Sequence, residues 1–134
     1  MTEDRLVAAA RAVREYAHAP LTGVKVGAAI ETDDGAVIAG CNVESPTAIF
    51  HLCAERAALV AAVAKGHRGF RRIATIGDFR SPLPPCGYCR QALLEFAPDI
   101  KVIMATTQGR TRQATLAELM PQAYRIADRA DDKS

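Results

Sequence analysis

Three cysteines set the strictest condition on what this chain can fold into. Cys53 opens the run Cys53-Ala54-Glu55, and two more thiols lie in Pro85-Cys86-Gly87-Tyr88-Cys89. Cys86 and Cys89, at i and i+3 of a helix start, share one face of the first turn. A helix N-terminus stabilises a thiolate there and lowers the thiol pKa. Cys53 brings a third thiolate from the start of a second helix. Three sulfurs arriving from two helix ends suit tetrahedral zinc and leave one position open. The two helices must therefore begin side by side, however far apart they lie in the chain.

The open position carries the chemistry. Zinc lowers the pKa of a bound water towards about 7, which makes a nucleophile at neutral pH. A neighbouring group must take the proton and pass it on, and Glu55, two residues from a ligand, is the candidate. Three thiolates leave the zinc cluster with net negative charge, which opposes acidification of the water. Two helix N-termini offset part of this, and Arg56 or Arg90 could donate hydrogen bonds to sulfur. The competing reading is a closed site in which Cys41 supplies a fourth thiolate and the metal only stabilises an interaction module. Structural ribbons usually pair two C-x-x-C knuckles, and this chain has one. Cys41 otherwise reads as a small buried hydrophobe at a strand end.

The elements around these residues follow from pattern. Residues 3–18 read as a helix with Leu6, Ala10, Val13 and Ala17 along one stripe and Thr2 as N-cap. Val24–Glu31 and Ala36–Val43 read as strands joined by Asp33-Asp34-Gly35, a strong hairpin signal. The alanine-rich segment Cys53–Lys65 is a buried helix stopped at Gly66. Ile73–Gly77 is a short buried strand, and the prolines of Asp78–Pro85 enforce a loop. A helix from Cys86 to Ala97 stops at Pro98, and Ile100–Ala105 is an apolar strand covered on both faces. Gln108-Gly109 marks a turn. Thr115-Leu116-Ala117-Glu118 matches a capping box. The order predicts an α/β fold, a three-layer α/β/α sandwich around a mixed sheet. One domain over residues 1–126 is expected, with a polar, frayed tail over 127–134.

Charge narrows the partners. Lys and Arg number 17 against 15 acids, for a net charge of +2, and the basic residues are scattered. That gives no footprint for nucleic acid, so a small-molecule substrate is expected. No apolar run reaches the roughly 20 residues of a membrane span, and Met1-Thr2-Glu3-Asp4-Arg5 lacks the basic and apolar regions of a signal peptide. The expected setting is cytoplasmic, where four cysteines point to metal or catalysis rather than to disulfides.

The two half-motifs, with Glu55 at its offset and Pro85 before the pair, fit the signature of zinc deaminases in an all-cysteine version. Nearly the whole chain resembles the small homotetrameric cytidine deaminases. The likeness is densest in Val26-Gly27-Ala28-Ala29, Gly40-Cys41-Asn42-Val43-Glu44, Cys53-Ala54-Glu55-Arg56 and Pro85-Cys86-Gly87-Tyr88-Cys89-Arg90-Gln91. The resemblance implies a mixed five-stranded sheet, one Zn²⁺ per chain, and a hydrolase that releases ammonia from a cyclic amidine in pyrimidine salvage. It implies that Asn42 and Glu44 bind the ribose 3′-hydroxyl, and that the Ala54 N–H and the Glu55 carboxylate grip the pyrimidine. Arg56 would partner a zinc-bound sulfur, and neighbouring subunits would complete each site. Read from the residues alone, Asn42 and Glu44 could equally be polar groups capping the loop after a strand.

The likeness has departures. Family members usually carry Tyr-Ser-x-Phe-x-Val-Gly-Ala-Ala, where this chain has Leu21, Thr22 and Val24 at the Tyr, Ser and Phe positions. Ser45-Pro46-Thr47-Ala48 replaces a stretch that often holds an Asn and a Tyr. These changes reshape the base pocket around Val24, so cytidine, deoxycytidine and bulkier base-modified nucleosides are all admissible. The chain is also similar to blasticidin S deaminase, which typically lacks the Asn-x-Glu pair. Tyr88 lines the site or packs outward, Phe50 is a candidate subunit contact, and His51 is a loop or interface residue rather than a ligand.

Overall fold

A computed structural model describes residues 3–128. The elements run α1 (Arg5–Arg14), β1 (Val26–Thr32), β2 (Val37–Cys41), α2 (Ala54–Ala64), β3 (Phe70–Gly77), α3 (Gly87–Phe96), β4 (Lys101–Thr106), β5 (Thr111–Thr115) and α4 (Leu116–Leu119), then a 3-10 turn at Ile126–Asp128. The five strands form one sheet in the order β2-β1-β3-β4-β5. Only β3 and β4 pair in parallel; the other three pairings are antiparallel.

Alternation along the strands divides the core in two. Ala28, Ile30, Ile38, Ile73, Val102 and Met104 face α2, α3 and α4, and their cluster includes Ala58, Leu93 and Leu116. Ala29, Ala74, Ile76, Ile103 and Ala105 face the other way, onto Leu6, Val7 and Ala10 of α1. The predicted three layers are therefore present. Close approach shapes two positions: a Cβ at Gly40 would strike the α2 backbone at Ala57 and Ala58, and one at Gly27 would strike the Ala10 carbonyl of α1. The alanines of α2 serve the same end, since small side chains let the helix lie close to the sheet.

Several boundaries differ from the sequence expectation. Asp4, not Thr2, caps α1: its Oδ1 accepts from the Leu6 N–H at 2.8 Å, and Thr2 lies outside the described residues. The helix stops at Arg14, and His18 instead bridges Val43. Strand β3 starts at Phe70, three residues before the predicted Ile73, because Phe70 and Arg72 pair with Thr32 and Glu31 of β1 across a register shift that leaves Arg71 unpaired in the ladder. Pattern locates four strands, and the fifth that the resemblance implies is β5; its Thr-Arg-Gln-Ala-Thr sequence has no apolar alternation, and it forms the sheet edge beside β4. The capping box is present, with Thr115 Oγ1 accepting from the Glu118 N–H at 3.2 Å and Glu118 Oε1 from the Thr115 N–H at 3.1 Å. The expected tail boundary falls inside the Ile126–Asp128 turn, and residues 129–134 lie outside the described residues.

One buried carboxylate ties three elements together. Glu31, 4% exposed at the end of β1, accepts from Arg72 Nε at 2.8 Å, Arg71 Nε at 3.0 Å and Arg5 Nη2 at 3.0 Å. Arg72 also reaches the capping Asp4 at 2.8 Å. The Arg72 hydrogen bond, ahead of the other two, pulls the Glu31 carboxyl down from 4.5 to about 2. A depressed carboxylate contributes its full stability above the unfolded value and loses it as pH falls through the folded one. Glu31→Gln should therefore lower the unfolding free energy at pH 7 by about 2 kcal/mol. That difference should shrink between about pH 4.5 and about pH 2 in urea titrations of the two proteins.

Candidate metal centre and active site

Two helix beginnings meet at one end of the sheet. Cys53 is the N-cap residue of α2 and Cys86 that of α3, each in extended backbone and neither capping with its side chain. The first N–H groups of both helices are thus left for other partners, and the positive ends of both dipoles point at the sulfurs. A short two-way bridge fixes the approach to Cys53: the Val43 N–H donates to the Leu52 carbonyl at 2.9 Å and the Leu52 N–H to the Val43 carbonyl at 3.0 Å. Pro85, fully buried, precedes Cys86, and Arg90 Nε holds the Pro85 carbonyl at 2.7 Å.

The sulfur positions fit a metal. The Cys53 and Cys86 Sγ atoms lie 3.7 Å apart and those of Cys86 and Cys89 3.5 Å apart, and all three lie within 4.8 Å of one another. A zinc tetrahedron with Zn–S bonds of about 2.3 Å has edges of about 3.8 Å. The Cys89 hydrogen bond, helped by Arg56, pulls the Cys53 thiol down to about 5. The same contact, together with burial, pushes Cys89 up. Neighbouring sulfurs cannot all ionise unless a cation lies among them, and zinc supplies that charge.

Arg56 gives an independent sign. Its Nη2 donates to Cys53 Sγ at 3.4 Å, while its Nε is buried with no partner. A buried, charged donor without an acceptor is costly; an additional thiolate acceptor beside it would remove that cost. Arg90, the other candidate for sulfur, goes elsewhere: its Nη1 donates to the Leu119 carbonyl at 2.8 Å. Tyr88 points outward, 79% exposed, with its ring 5.7 Å from the Arg56 guanidinium carbon. Cys41, at the end of β2, is not among the clustered sulfurs, so a four-thiolate cage is not formed among the described residues. His51 takes the Ser45 N–H on Nδ1 at 3.2 Å and ligates nothing.

A cleft of about 320 Å³ opens beside the sulfurs, and its lining includes Val24, Asn42, Glu44, Glu55, Thr75 and Phe79. Glu55 stands in the first turn of α2 and is 6% exposed. Thr75 Oγ1 of β3 donates to its Oε1 at 3.3 Å, and the Glu55 N–H and the Cys89 side chain also lie against the carboxylate. Burial first, and the charge of Cys53 second, raise the Glu55 carboxyl above the ordinary value, the direction that suits a group giving and taking protons near neutrality.

Asn42 and Glu44 line the same cleft, yet both also hold the rim. Asn42 Oδ1 accepts from the Val26 N–H and its Nδ2 donates to the Val24 carbonyl, both at 2.8 Å. Glu44 Oε1 accepts from the N–H groups of Leu21 and Thr22, and its Oε2 from the Thr22 hydroxyl at 2.5 Å. Sequence reasoning had not found Thr75 and Phe79. Thr75 left a trace, being the one hydroxyl inside the apolar run Ile73–Gly77; Phe79 left none within its proline-bearing loop.

Residues 1–106 match the family model described as the cytidine and deoxycytidylate deaminase zinc-binding region. The cytidine deaminase of Halalkalibacterium halodurans is 39% identical over 132 residues, covering 98% of this chain and 100% of that protein. A cytidine deaminase structure from Burkholderia pseudomallei superposes with a TM-score of 0.88 at 43% identity, covering 92% of this chain and 100% of the other. The blasticidin-S deaminase of Bacillus cereus is 32% identical over 107 residues, covering 74% of this chain and 76% of its own.

Zinc content measured by emission spectroscopy should be one per chain, unchanged in Cys41→Ser and lost in Cys53→Ser. Arg56→Ala should hold zinc roughly 10- to 100-fold more weakly in competition with a chelator, as removal of a hydrogen bond to a ligand does elsewhere.

Proposed function

The chain belongs to the cytidine and deoxycytidylate deaminase family, and on that premise we propose that it hydrolyses cytidine to uridine and ammonia with zinc on Cys53, Cys86 and Cys89. The observation that carries the assignment of roles is the setting of Glu55: a buried carboxylate beside the sulfurs, with one oxygen held by Thr75. Zinc, when held by Cys53, Cys86 and Cys89, would supply the Lewis acidity that brings the pKa of a bound water towards about 7. Glu55 accepts the proton released as the water oxygen bonds to the pyrimidine C4, and delivers it to N3. The remaining hydroxyl proton then passes through the same carboxylate to the amine at C4. The C4–N bond breaks, ammonia leaves, and the ring retains a carbonyl at C4 and hydrogen on N3.

Other cleft residues support nucleoside binding. Ala54 opens α2 and lines the cleft beside Glu55, and its N–H suits the ring carbonyl. Asn42 keeps one amide hydrogen, and Glu44 keeps free lone pairs, after their contacts to the rim; these suit a ribose 3′-hydroxyl. Val24 gives the base an aliphatic flank. Residues 1–126 would then act as one catalytic domain, working in cytoplasmic pyrimidine salvage.

The active form is a homotetramer in this reading. Ile49, Phe50 and Tyr88 are exposed by 83, 58 and 79%, close in sequence to the ligands, and exposed apolar groups of this kind mark association surfaces. A second substrate reading, blasticidin S, draws on Val24, which is 45% exposed and leaves the base side of the cleft open, and on the Bacillus cereus relative.

Cytidine mixed with the zinc-loaded protein should lose its ultraviolet absorbance steadily as uridine forms. Glu55→Gln should keep one zinc per chain and lose activity by about 10²- to 10⁴-fold; full activity in that variant would remove Glu55 from its role. Light scattering should return four times the chain mass. A higher kcat/KM for blasticidin S than for cytidine would move the chain to the second reading.

A further inference from the structure

Among the described residues that line the cleft, Phe79 is the only aromatic one. Its seat is specific. Strand β3 alternates, so Ile73, Thr75 and Gly77 form one row facing α2, with Thr75 in contact with Glu55. Gly77 ends this row without a side chain, and the Phe79 ring lies where its Cβ would be: an added methyl would overlap ring atoms Cε2, Cζ and Cδ2. The chain thus leaves β3, turns through Asp78, and lays a ring back over its own last strand residue. Val26, paired with Gly77 across the β1–β3 ladder, also lines the cleft. Val26, the Phe79 ring and Thr75 thus line one cleft, with Thr75 bonded to Glu55.

We infer that Phe79 is a substrate-contacting residue whose ring is the surface on which the pyrimidine rests, and that Gly77 is the positioning residue that admits the ring to the cleft. The inference rests on the deaminase reading and deepens it. Glu55 fixes where C4 and N3 of the base must lie, and the ring over Gly77 is the one aromatic surface among the described residues of that cleft. A nucleobase offers a π-face to such a ring whatever its substituents, so stacking holds the base without selecting its exocyclic groups. Selection of the amino group then falls to Glu55 and the metal.

The test reads binding apart from turnover. Uridine, which has no amine to lose, is the probe: its Kd is measured by titration calorimetry on the zinc-loaded wild type and variants. KM and kcat for cytidine are measured alongside. Phe79→Ala should weaken uridine binding roughly tenfold and raise KM in parallel, with kcat changed less and zinc still one per chain. Phe79→Tyr should restore both. Gly77→Ala, which keeps the ring but displaces it, should behave as Phe79→Ala does; thermal melting of each variant shows that it is folded. Phe79→Ala with uridine binding and KM unchanged, in a protein whose wild type deaminates cytidine, overturns this inference alone. A wild type that neither binds uridine nor converts cytidine overturns it together with the deaminase reading.

Discussion

Three ionised sulfurs repel one another and gain nothing from proximity until a cation lies among them. In this chain two helix N-termini and one guanidinium oppose that repulsion from the protein side. Cys53 and Cys86 occupy cap positions but do not cap, so the leading N–H groups of α2 and α3 stay free at the one place where negative charge accumulates. Arg56 extends from the first turn of α2 to Cys53 and leaves its Nε buried and waiting. The metal centre is thus an electrostatic arrangement first, and the architecture around it serves to bring two helix ends together.

The sheet does this by its one parallel pairing. Strands β3 and β4 run the same way, so α3 must cross over between them, and both ligands of that helix arrive past the carboxyl end of β3. Open α/β sheets place their ligands beyond that end. Helix α2 reaches the same end from the hairpin side, pressed close to the sheet by Gly40 and by its own alanines. Away from the site, the Glu31 cluster fastens α1 and β3 to the end of β1. The metal end and the ion-paired end therefore mark opposite limits of the central strands.

Residues whose chemistry fixes their environment were legible in the sequence. Cysteine spacing identified the ligands, the offset of Glu55 placed it beside them, and Asp33-Asp34-Gly35 marked the hairpin. What escaped depends on tertiary pairing. Strand β5 is polar because it is a sheet edge whose outer side faces water, so no apolar period announces it. Arg71 and Arg72 fall outside the strand expected from Ile73, although they belong to β3 and reach Glu31. Arg90 looked as well placed for sulfur as Arg56, yet two carbonyls claim it. Asn42 and Glu44 were weighed as sugar ligands or as caps of the loop after their strand; their side chains instead bond the segment 21–26 that leads into β1, while both line the cleft. Phe79 depends on the absence of a side chain two residues earlier, which no local pattern expresses.

The two-way bridge between Val43 and Leu52 separates the rim from the reaction centre. Because both partners donate and accept there, the chain over residues 44–51 leaves and re-enters the fold at a fixed doorway, one residue before Cys53. Doubling the length of a loop with fixed ends costs only about 0.6 kcal/mol in closure entropy. The chain beyond Glu44, which itself lines the cleft, can therefore be exchanged, lengthened or shortened while Cys53 beyond the doorway keeps its place. Such a layout lets natural variation, or a protein engineer, rework the exposed surface around Ile49 and Phe50 without rebuilding the reaction centre.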